Sequence, residues 1–426
     1  MTQPSANPGD PRPHSVLILS QHYWPERFPI NEITGSLVEA GAAVTVLTGQ
    51  PNYPDGAIFP GYAATGIGID RHPEGWEVVR VPLIPRGPGG GMRLIANYLS
   101  FLATAIMIGP WLLRGRRIDT IFVYATSPLL QAIAGVWLKW IKRAKLVVWV
   151  QDLWPESLSD TGFVRSPAIL GMVRSAVRWI YRHSDLVLVQ SVGFLDAVRP
   201  MAGVTPVVVH PNPGPVERPA GADTVASDAP ILEPGFNLVF AGNIGTVQAM
   251  DTVLDAAALL LDEPDIRFVL VGDGSRVAWA QAEIARRGLA NVRLAGSYPR
   301  SAMPALFAQA SALLVTLKQS PIMARTVPSK IQAYLAAGRP IITGLDGVGA
   351  NLVEQARAGL VAPAEDSHGL ADAVRRMYRL SAAEREAMGQ QGRAYHTEHF
   401  DPAVLARQLL AQFDQLKERE ESDVAR

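Results

Sequence analysis

The sequence predicts an α/β protein of two doubly wound domains, each a parallel sheet covered by helices, and three observations carry that expectation. The chain has 426 residues, more than one ordinary core encloses, so two domains of roughly 200 residues are expected. Short apolar runs alternate with segments of helical period in both halves, the pattern of strand–helix–strand units. Between the halves, residues 210–230 are rich in Pro, Gly and Asp and lack apolar periodicity, which marks the domain boundary.

Composition narrows the function classes. With 48% hydrophobic residues the chain can bury two cores, and its formal net charge of zero argues against a general nucleic-acid binder. The absence of cysteine excludes a disulfide scaffold, a thiolate metal site and a cysteine nucleophile, and it fits a reducing cytosol. Charge is uneven, however. The 80–145 region holds Arg80, Arg86, Arg93, Arg114, Arg116, Arg117, Lys139, Lys142, Arg143 and Lys145 against one acid, Asp119.

Residues 1–14 are polar and Pro-rich without an apolar core, so they read as a disordered tail rather than a signal peptide. The first domain, 15–212, opens with the buried-strand run Val16–Ser20, a helix over Pro29–Ala40 and a strand over Val44–Leu47. The intervening loop carries His22, Tyr23, Trp24, Glu26 and Arg27 to the carboxyl end of the first strand, where such sheets place ligands, and no G-x-G-x-x-G fingerprint occurs there. Residues 49–62 form a second loop, dense in aromatics (Tyr53, Phe59, Tyr62), which either bind a sugar-like ligand or pack down on the domain. Residues 83–92 read as mobile.

Leu94–Leu113 is free of charge and long enough to span a bilayer. It holds Asn97, Ser100, Thr104, Gly109 and Pro110, and a strand follows at 120–124, so a buried or membrane-surface helix is expected. Trp137 and Trp140 with Lys139, Lys142 and Arg143 suit a face on anionic lipid, with a solvated basic helix end as the alternative. The strand 146–150 delivers Asp152, Trp154 and Glu156 to its carboxyl end. Two carboxylates beside a tryptophan are a candidate acid/base pair; helix capping is the equal alternative. A helix near 167–183 and strands at 186–189 and 207–209 complete the sheet.

The second domain, 213–397, repeats the pattern with strands at 238–241, 268–271, 292–295, 313–316 and 341–343. Its first strand runs into Gly242-Asn243-Ile244-Gly245 and its second into Gly272-Asp273-Gly274, turns that let backbone N–H groups approach a phosphate. In Thr326–Pro340, Ser329 can cap a helix and Lys330 adds positive charge at its dipole-positive end, although an ordinary capped helix stopped at Gly338 would read the same. The final helix, about 398–418, is amphipathic through Val404, Leu405, Leu409 and Phe413 and is expected to pack on the first domain.

Taken in order, Tyr23-Trp24-Pro25-Glu26, Pro51-Asn52-Tyr53-Pro54, Gln151-Asp152-Leu153-Trp154-Pro155-Glu156-Ser157, Ala241-Gly242-Asn243-Ile244-Gly245, Val327-Pro328-Ser329-Lys330 and Tyr334-Leu335-Ala336-Ala337-Gly338 resemble a GT-B glycosyltransferase of family 4 over nearly the whole chain. The subgroup resembled is the WbuB-like O-antigen and colanic-acid type, transferases of N-acetyl-L-fucosamine. The resemblance implies two Rossmann-like domains facing across a cleft, a UDP-linked sugar held by the second and a polyprenyl-diphosphate-linked saccharide held by the first. It implies donor contacts from Gly242, Asn243, Gly245, a helix starting near Gln248, Gly272, Asp273, Gly274, the base-reading Ser297 and Tyr298, and Arg325, Ser329 and Lys330. Acceptor contacts would come from Tyr23, Glu26, Arg27, Asn52, Tyr53 and Trp154. Stabilisation of the departing diphosphate, with Lys330, would be the main catalytic term, and Asp152 and Glu156 would orient or deprotonate the acceptor hydroxyl.

Two departures bear on those roles. Family 4 usually has two glutamates eight positions apart before its Ala-Gly-Pro stop, where this chain has Arg325 and Ala333, and an Arg and a Lys where Asn243 and Gln248 stand. No Asp-x-Asp occurs and the eight histidines show no ligand spacing, so no cofactor and metal-independent chemistry are expected. The expected location is the cytosolic face of the membrane, held peripherally through the 80–145 region. A nucleotide-sugar 2-epimerase of the same architecture, or a non-catalytic sugar-nucleotide-binding scaffold subunit, would share these features.

Overall fold

The computed structural model describes residues 12–88, 90–160, 164–215 and 231–424. Residues 1–11 of the expected tail and 216–230 of the expected boundary lie outside the described residues. His14 is within them, and its ring bonds Asp414 (2.7 Å) and Thr120 (2.9 Å). The chain divides into two compact units. The first is Met1–Gln190, Phe194–His210 and Pro402–Arg426; the second is Ser191–Gly193 and Pro211–Asp401.

The first unit carries β1 (Ser15–Leu19), β2 (Ala43–Thr48), β3 (Gly68–Arg71), β4 (Glu77–Arg80), β5 (Thr120–Ala125), β6 (Lys145–Val150), β7 (Leu186–Val189) and β8 (Val207–Val209). They pair in the order β3-β4-β2-β1-β5-β6-β7-β8, all parallel except β3 against β4. Its helices are α1 (Pro29–Glu39), α2 (Gly91–Met107), α3 (Gly109–Leu112), α4 (Ala132–Lys142), α5 (Glu156–Asp160), α6 (Pro167–His183) and α7 (Leu195–Ala202). Strand alternation decides the layers: Leu17 and Leu19 join a core with α2, α4, α6 and α7, while Val16 and Ile18 join the opposite core with α1.

The second unit carries β9 (Phe236–Ala241), β10 (Ile266–Val271), β11 (Val292–Gly296), β12 (Ala312–Thr316), β13 (Ile341–Gly344) and β14 (Gly359–Ala362), in the order β11-β10-β9-β12-β13-β14 and all parallel. Its helices are α8 (Met250–Ala258), α9 (Val277–Arg287), α10 (Met303–Gln309), α11 (Ser329–Ala337), α12 (Val348–Gln355), α13 (Ser367–Arg379) and α14 (Ala382–His399). The strand order reverses at β9, so the carboxyl ends of β9, β10 and β12 flank the switch point at which open sheets bind ligands. The last helix, α15 (Pro402–Val424), returns to the first unit and buries Leu405, Leu409 and Phe413, the last two in the core shared with α1.

Several elements differ from the sequence expectation. The charge-free run 94–113 is two helices, because Gly109-Pro110 interrupts the ladder: proline has no N–H to donate. It is neither wholly buried nor able to cross a membrane. Ile95, Leu99, Met107 and Trp111 are exposed while Asn97, Phe101 and Ala105 are buried, and no helix of the described residues is long and apolar enough to span. Residues 84–87 of the segment read as mobile are hydrogen-bonded to the rest of the unit, through the Gly87 N–H to Gly56 O (2.9 Å), the Ile84 N–H to Ser100 Oγ (2.9 Å) and the Arg86 N–H to Asn52 Oδ1 (3.1 Å). The ribbon β3–β4 and strand β14 were not legible, being four residues each, and β3 is half exposed.

Candidate active site

In the second unit the glycine turns are built against one another. Gly242, Gly272 and Gly274 have φ of +135°, +139° and +154°, where a side chain is strained. The Ile244 N–H donates to Asp273 O (2.8 Å), the Gly242 N–H to Val271 O (2.9 Å) and the Gly272 N–H to Gly296 O (2.8 Å), so the loops after β9, β10 and β11 form one surface. A Cβ on Gly272 would overlap the Gly242 carbonyl, and one on Gly274 would meet Ile244 O and Asn243 Oδ1. The same edge therefore carries Gly242, Asn243, Gly245, Gly272, Asp273, Gly274, Ser297 and Tyr298.

Lys330 reaches this surface from α11. A Cβ on Gly242 would lie 2.6 Å from Lys330 Cε and 3.1 Å from its Nζ. The Nζ stands 3.5 Å from the centroid of the buried Phe240 ring. Desolvation pushes the amine down to about 7, a site in which an arriving anion would restore the charged form. Tyr334, unread as a site residue, braces the end of β9: its hydroxyl accepts from the Ala241 N–H at 3.0 Å. Such a bond between a helix and a distant strand has no local signal.

On the donor side the Ser329 cap expected from the sequence is not formed. Ser329 is exposed and is the first residue of α11 rather than its cap; Pro328 is the cap and no side chain closes the end, which leaves the first N–H groups to solvent or ligand. A helix does start near Gln248: a 3-10 turn over Thr246–Gln248 leads through left-handed Ala249 into α8 at Met250. Gln248 turns its Oε1 back to the Gly245 N–H (3.1 Å), and Asp273 Oδ1 accepts from the Gly274 N–H (2.7 Å), so both hold the turns. Arg325 ends a short 3-10 turn before α11 and its side chain forms no ion pair among the described residues.

In the first unit, most of the acceptor candidates are scaffold. Tyr23 is 1% exposed and its hydroxyl accepts from Trp76 Nε1 (2.8 Å). Glu26 is buried: Oε1 accepts from the Asn52 and Tyr53 N–H groups (2.6 and 2.7 Å), and Oε2 lies 2.9 Å from His22 Nδ1. Asn52 is fully buried, bonded to Gln50 O and to the Arg86 N–H. These side chains are buried and hydrogen-bonded within the protein, because the two loops they join have little regular structure and each buried polar group needs a partner. Arg27 and Tyr53 are exposed.

The two carboxylates have different partners. Asp152 Oδ2 accepts from Ser127 Oγ (2.8 Å), which in turn accepts from buried Trp154 Nε1 (3.1 Å). Desolvation raises the Asp152 pKa, with the Ser127 bond opposing. Glu156 instead faces α6, 3.5 Å from Arg174. Tyr98, which the sequence reading missed, lies within electrostatic reach of Asp152: burial raises its pKa, Arg86 opposes, and Asp152 and Tyr53 add to the rise. Asp152, Ser127, Tyr98, Tyr53 and Arg86 thus gather near the carboxyl ends of β5 and β6. Among the described residues no group of His, Asp and Glu is arranged to hold a metal ion.

Comparison with known proteins agrees with this architecture. Residues 29–213 match the family described as glycosyl transferase 4-like domain, and residues 235–379 the family described as glycosyl transferases group 1. The chain is 26% identical over 339 residues, 76% of its own length and 81% of the relative's, to a protein of Escherichia coli (strain K12) named as a colanic acid biosynthesis glycosyl transferase, WcaI. It is 24% identical over 267 residues, 60% of its length and 64% of the relative's, to a Pseudomonas aeruginosa protein named as a glycosyltransferase, WbjE. Among solved structures, sucrose-phosphate synthase from Thermosynechococcus elongatus superposes with a TM-score of 0.66 at 16% identity, over 95% of this chain and 100% of that one. Anabaena HepE in complex with UDP gives 0.65 at 17% identity, over 94% and 100%. At such identities the structures establish the fold, and the matched domains establish the class: the chain is a GT-B glycosyltransferase, a 4-like domain followed by a group 1 domain.

Proposed function

We propose that this chain moves a sugar from a UDP-linked donor, N-acetyl-L-fucosamine on the resemblance of its motifs, to a polyprenyl-diphosphate-linked saccharide in O-antigen or capsule synthesis. The observation that carries this reading is Lys330, held against Gly242 among interlocked glycine turns and beside the uncapped end of α11. Backbone N–H groups and one desolvated ammonium suit a diphosphate and need no metal. The relative named for colanic acid biosynthesis supports the polysaccharide setting, and the neighbour solved with UDP-glucose supports the nucleotide.

In the proposed reaction the bond between the anomeric carbon and the diphosphate oxygen breaks, its electron pair leaving on UDP. An acceptor oxygen bonds the anomeric carbon, and its proton passes to Asp152, whose raised pKa suits a base. Calorimetric titration with UDP, GDP and ADP, with and without magnesium, tests the donor site. UDP should bind without magnesium, and Lys330→Ala should weaken it at least tenfold, about 1.4 kcal/mol. Absence of binding by all three nucleotides would overturn the reading.

The same proposal places the chain peripherally on the cytosolic face of the membrane. Much of the basic 80–145 region is engaged internally: Arg80 with Asp70, Arg116 with Glu77, Arg117 with Asp119, Lys139 with Asp185, and Lys142 with the Leu113 and Arg116 carbonyls. Support comes instead from the exposed Met107, Trp111, Trp137, Trp140 and Trp179, on α2, α3, α4 and α6, helices without one acid among them. Trp140 and Trp179 meet edge to face at 6.3 Å. Co-flotation with vesicles should be several-fold stronger on phosphatidylglycerol than on phosphatidylcholine, fall with salt, and drop in Trp140→Asp. Equal binding to both vesicles would remove this part.

A further inference from the structure

We infer that His22 binds the acceptor saccharide, taking one of its hydroxyl hydrogens on Nε2 beneath a cover formed by Tyr53; this rests on reading the first unit as the acceptor domain. His22 follows β1 at the carboxyl edge of the sheet, and its side chain is 4% exposed. Its Nδ1 lies 2.9 Å from Glu26 Oε2, itself on a side chain only 1% exposed. A carboxylate oxygen accepts, so Nδ1 is the donor in this contact, and in that tautomer Nε2 is the acceptor atom of the ring. That atom is buried and has no hydrogen-bond partner among the described residues. A buried acceptor left open at the ligand edge is the position a substrate hydroxyl completes.

The surroundings show how it would be reached. The imidazole stacks on Phe28 (centroids 5.1 Å apart, 11° between planes) and meets the Tyr53 ring at 5.6 Å. Tyr53 is the exposed member, 38% accessible. Its backbone N–H and the Nδ1 of His22 share the one Glu26 carboxylate, so the cover and the histidine are referenced to the same group. Tyr53 also lies within electrostatic reach of Tyr98, which senses Asp152 too. A sugar ring that displaces the Tyr53 side chain would therefore meet His22 on the same edge as the proposed base. The contact is a hydrogen bond, with no bond made or broken at His22.

Two substitutions separate this role from a structural one. His22→Asn keeps an amide N–H near the Nδ1 position for Glu26 and removes Nε2, while His22→Gln returns an amide oxygen near the Nε2 position. With UDP-N-acetyl-L-fucosamine as donor and farnesyl-diphosphate-linked N-acetylglucosamine as acceptor probe, His22→Asn should raise the acceptor KM about tenfold and leave donor KM and UDP affinity unchanged. His22→Gln should recover part of the loss. Among monodeoxy forms of the probe, one should show equal KM with wild type and His22→Asn, since it lacks the hydroxyl concerned. Carbethoxylation of His22, read by mass spectrometry, should be slow in wild type, fast in Tyr53→Ala and blocked by the probe. An unchanged acceptor KM in folded His22→Asn, or slow carbethoxylation in Tyr53→Ala, would overturn the inference while leaving the transferase reading intact. Normal UDP binding with no transfer by wild type would overturn the acceptor reading and this inference together.

Discussion

Gly272→Ala is expected to destabilise the second unit by about 4 kcal/mol and to abolish nucleotide binding. The expectation rests on two separate penalties. A φ of +139° is outside the range a Cβ-bearing residue adopts without strain. The added methyl would also overlap the Gly242 carbonyl and its backbone neighbours, none of which can swing aside as a long side chain could. Relief would require the β9 and β10 turns to separate, breaking the Ile244 N–H to Asp273 O bond and displacing Lys330 from Gly242. Losses of this size are exceptional for single substitutions and diagnose a named backbone clash. Urea denaturation with UDP calorimetry checks it: Gly288→Ala, at φ +63° with open space around it, should cost only about 1 kcal/mol and leave binding intact. Equal effects of the two would show that the interlocked turns are not the source.

The second large effect is proton-linked UDP binding through Lys330. In the empty site desolvation holds the amine at about 7, so above that pH it is mostly neutral. A bound diphosphate favours the charged form and raises its pKa, so binding takes up a proton between pH 7 and the raised value. The sign follows: affinity is highest near pH 7 and falls as pH rises, by up to about tenfold per unit. Calorimetry in buffers of different ionisation enthalpy at pH 8 should count close to one proton taken up. Lys330→Ala should take up none. Folding responds in the opposite sense. A lysine whose folded pKa lies below its unfolded value destabilises the fold fully below about pH 7, and the penalty fades as pH rises toward the unfolded value. Lys330→Met should therefore gain thermal stability at pH 7 while losing UDP binding. A stability loss of the same variant would mean that the ammonium is not paying a desolvation cost.

The glycine turns and Lys330 were legible because backbone chemistry is local. A glycine after a buried strand, and a lysine in the first turn of a helix that a proline opens, limit what those positions can do wherever the rest of the chain lies. The polar members of the first-domain motifs were not legible in this way. Glu26 reads as a ligand contact until its partners are known, and those partners, the Asn52 and Tyr53 N–H groups, stand on another loop. Asp152 and Glu156 are four residues apart, yet Ser127 draws one and Arg174 faces the other.

What the sequence by itself determined is most of the strands and helices, the two-domain α/β class and the glycine turns after β9 and β10, since periodicity, glycine and proline act within a few residues. The tertiary structure alone decided which polar groups remain open to a ligand. A buried carboxylate or amide satisfies its hydrogen bonds with whatever the fold brings near it, and that choice leaves Tyr23, Glu26 and Asn52 as scaffold and the Nε2 of His22 unmet.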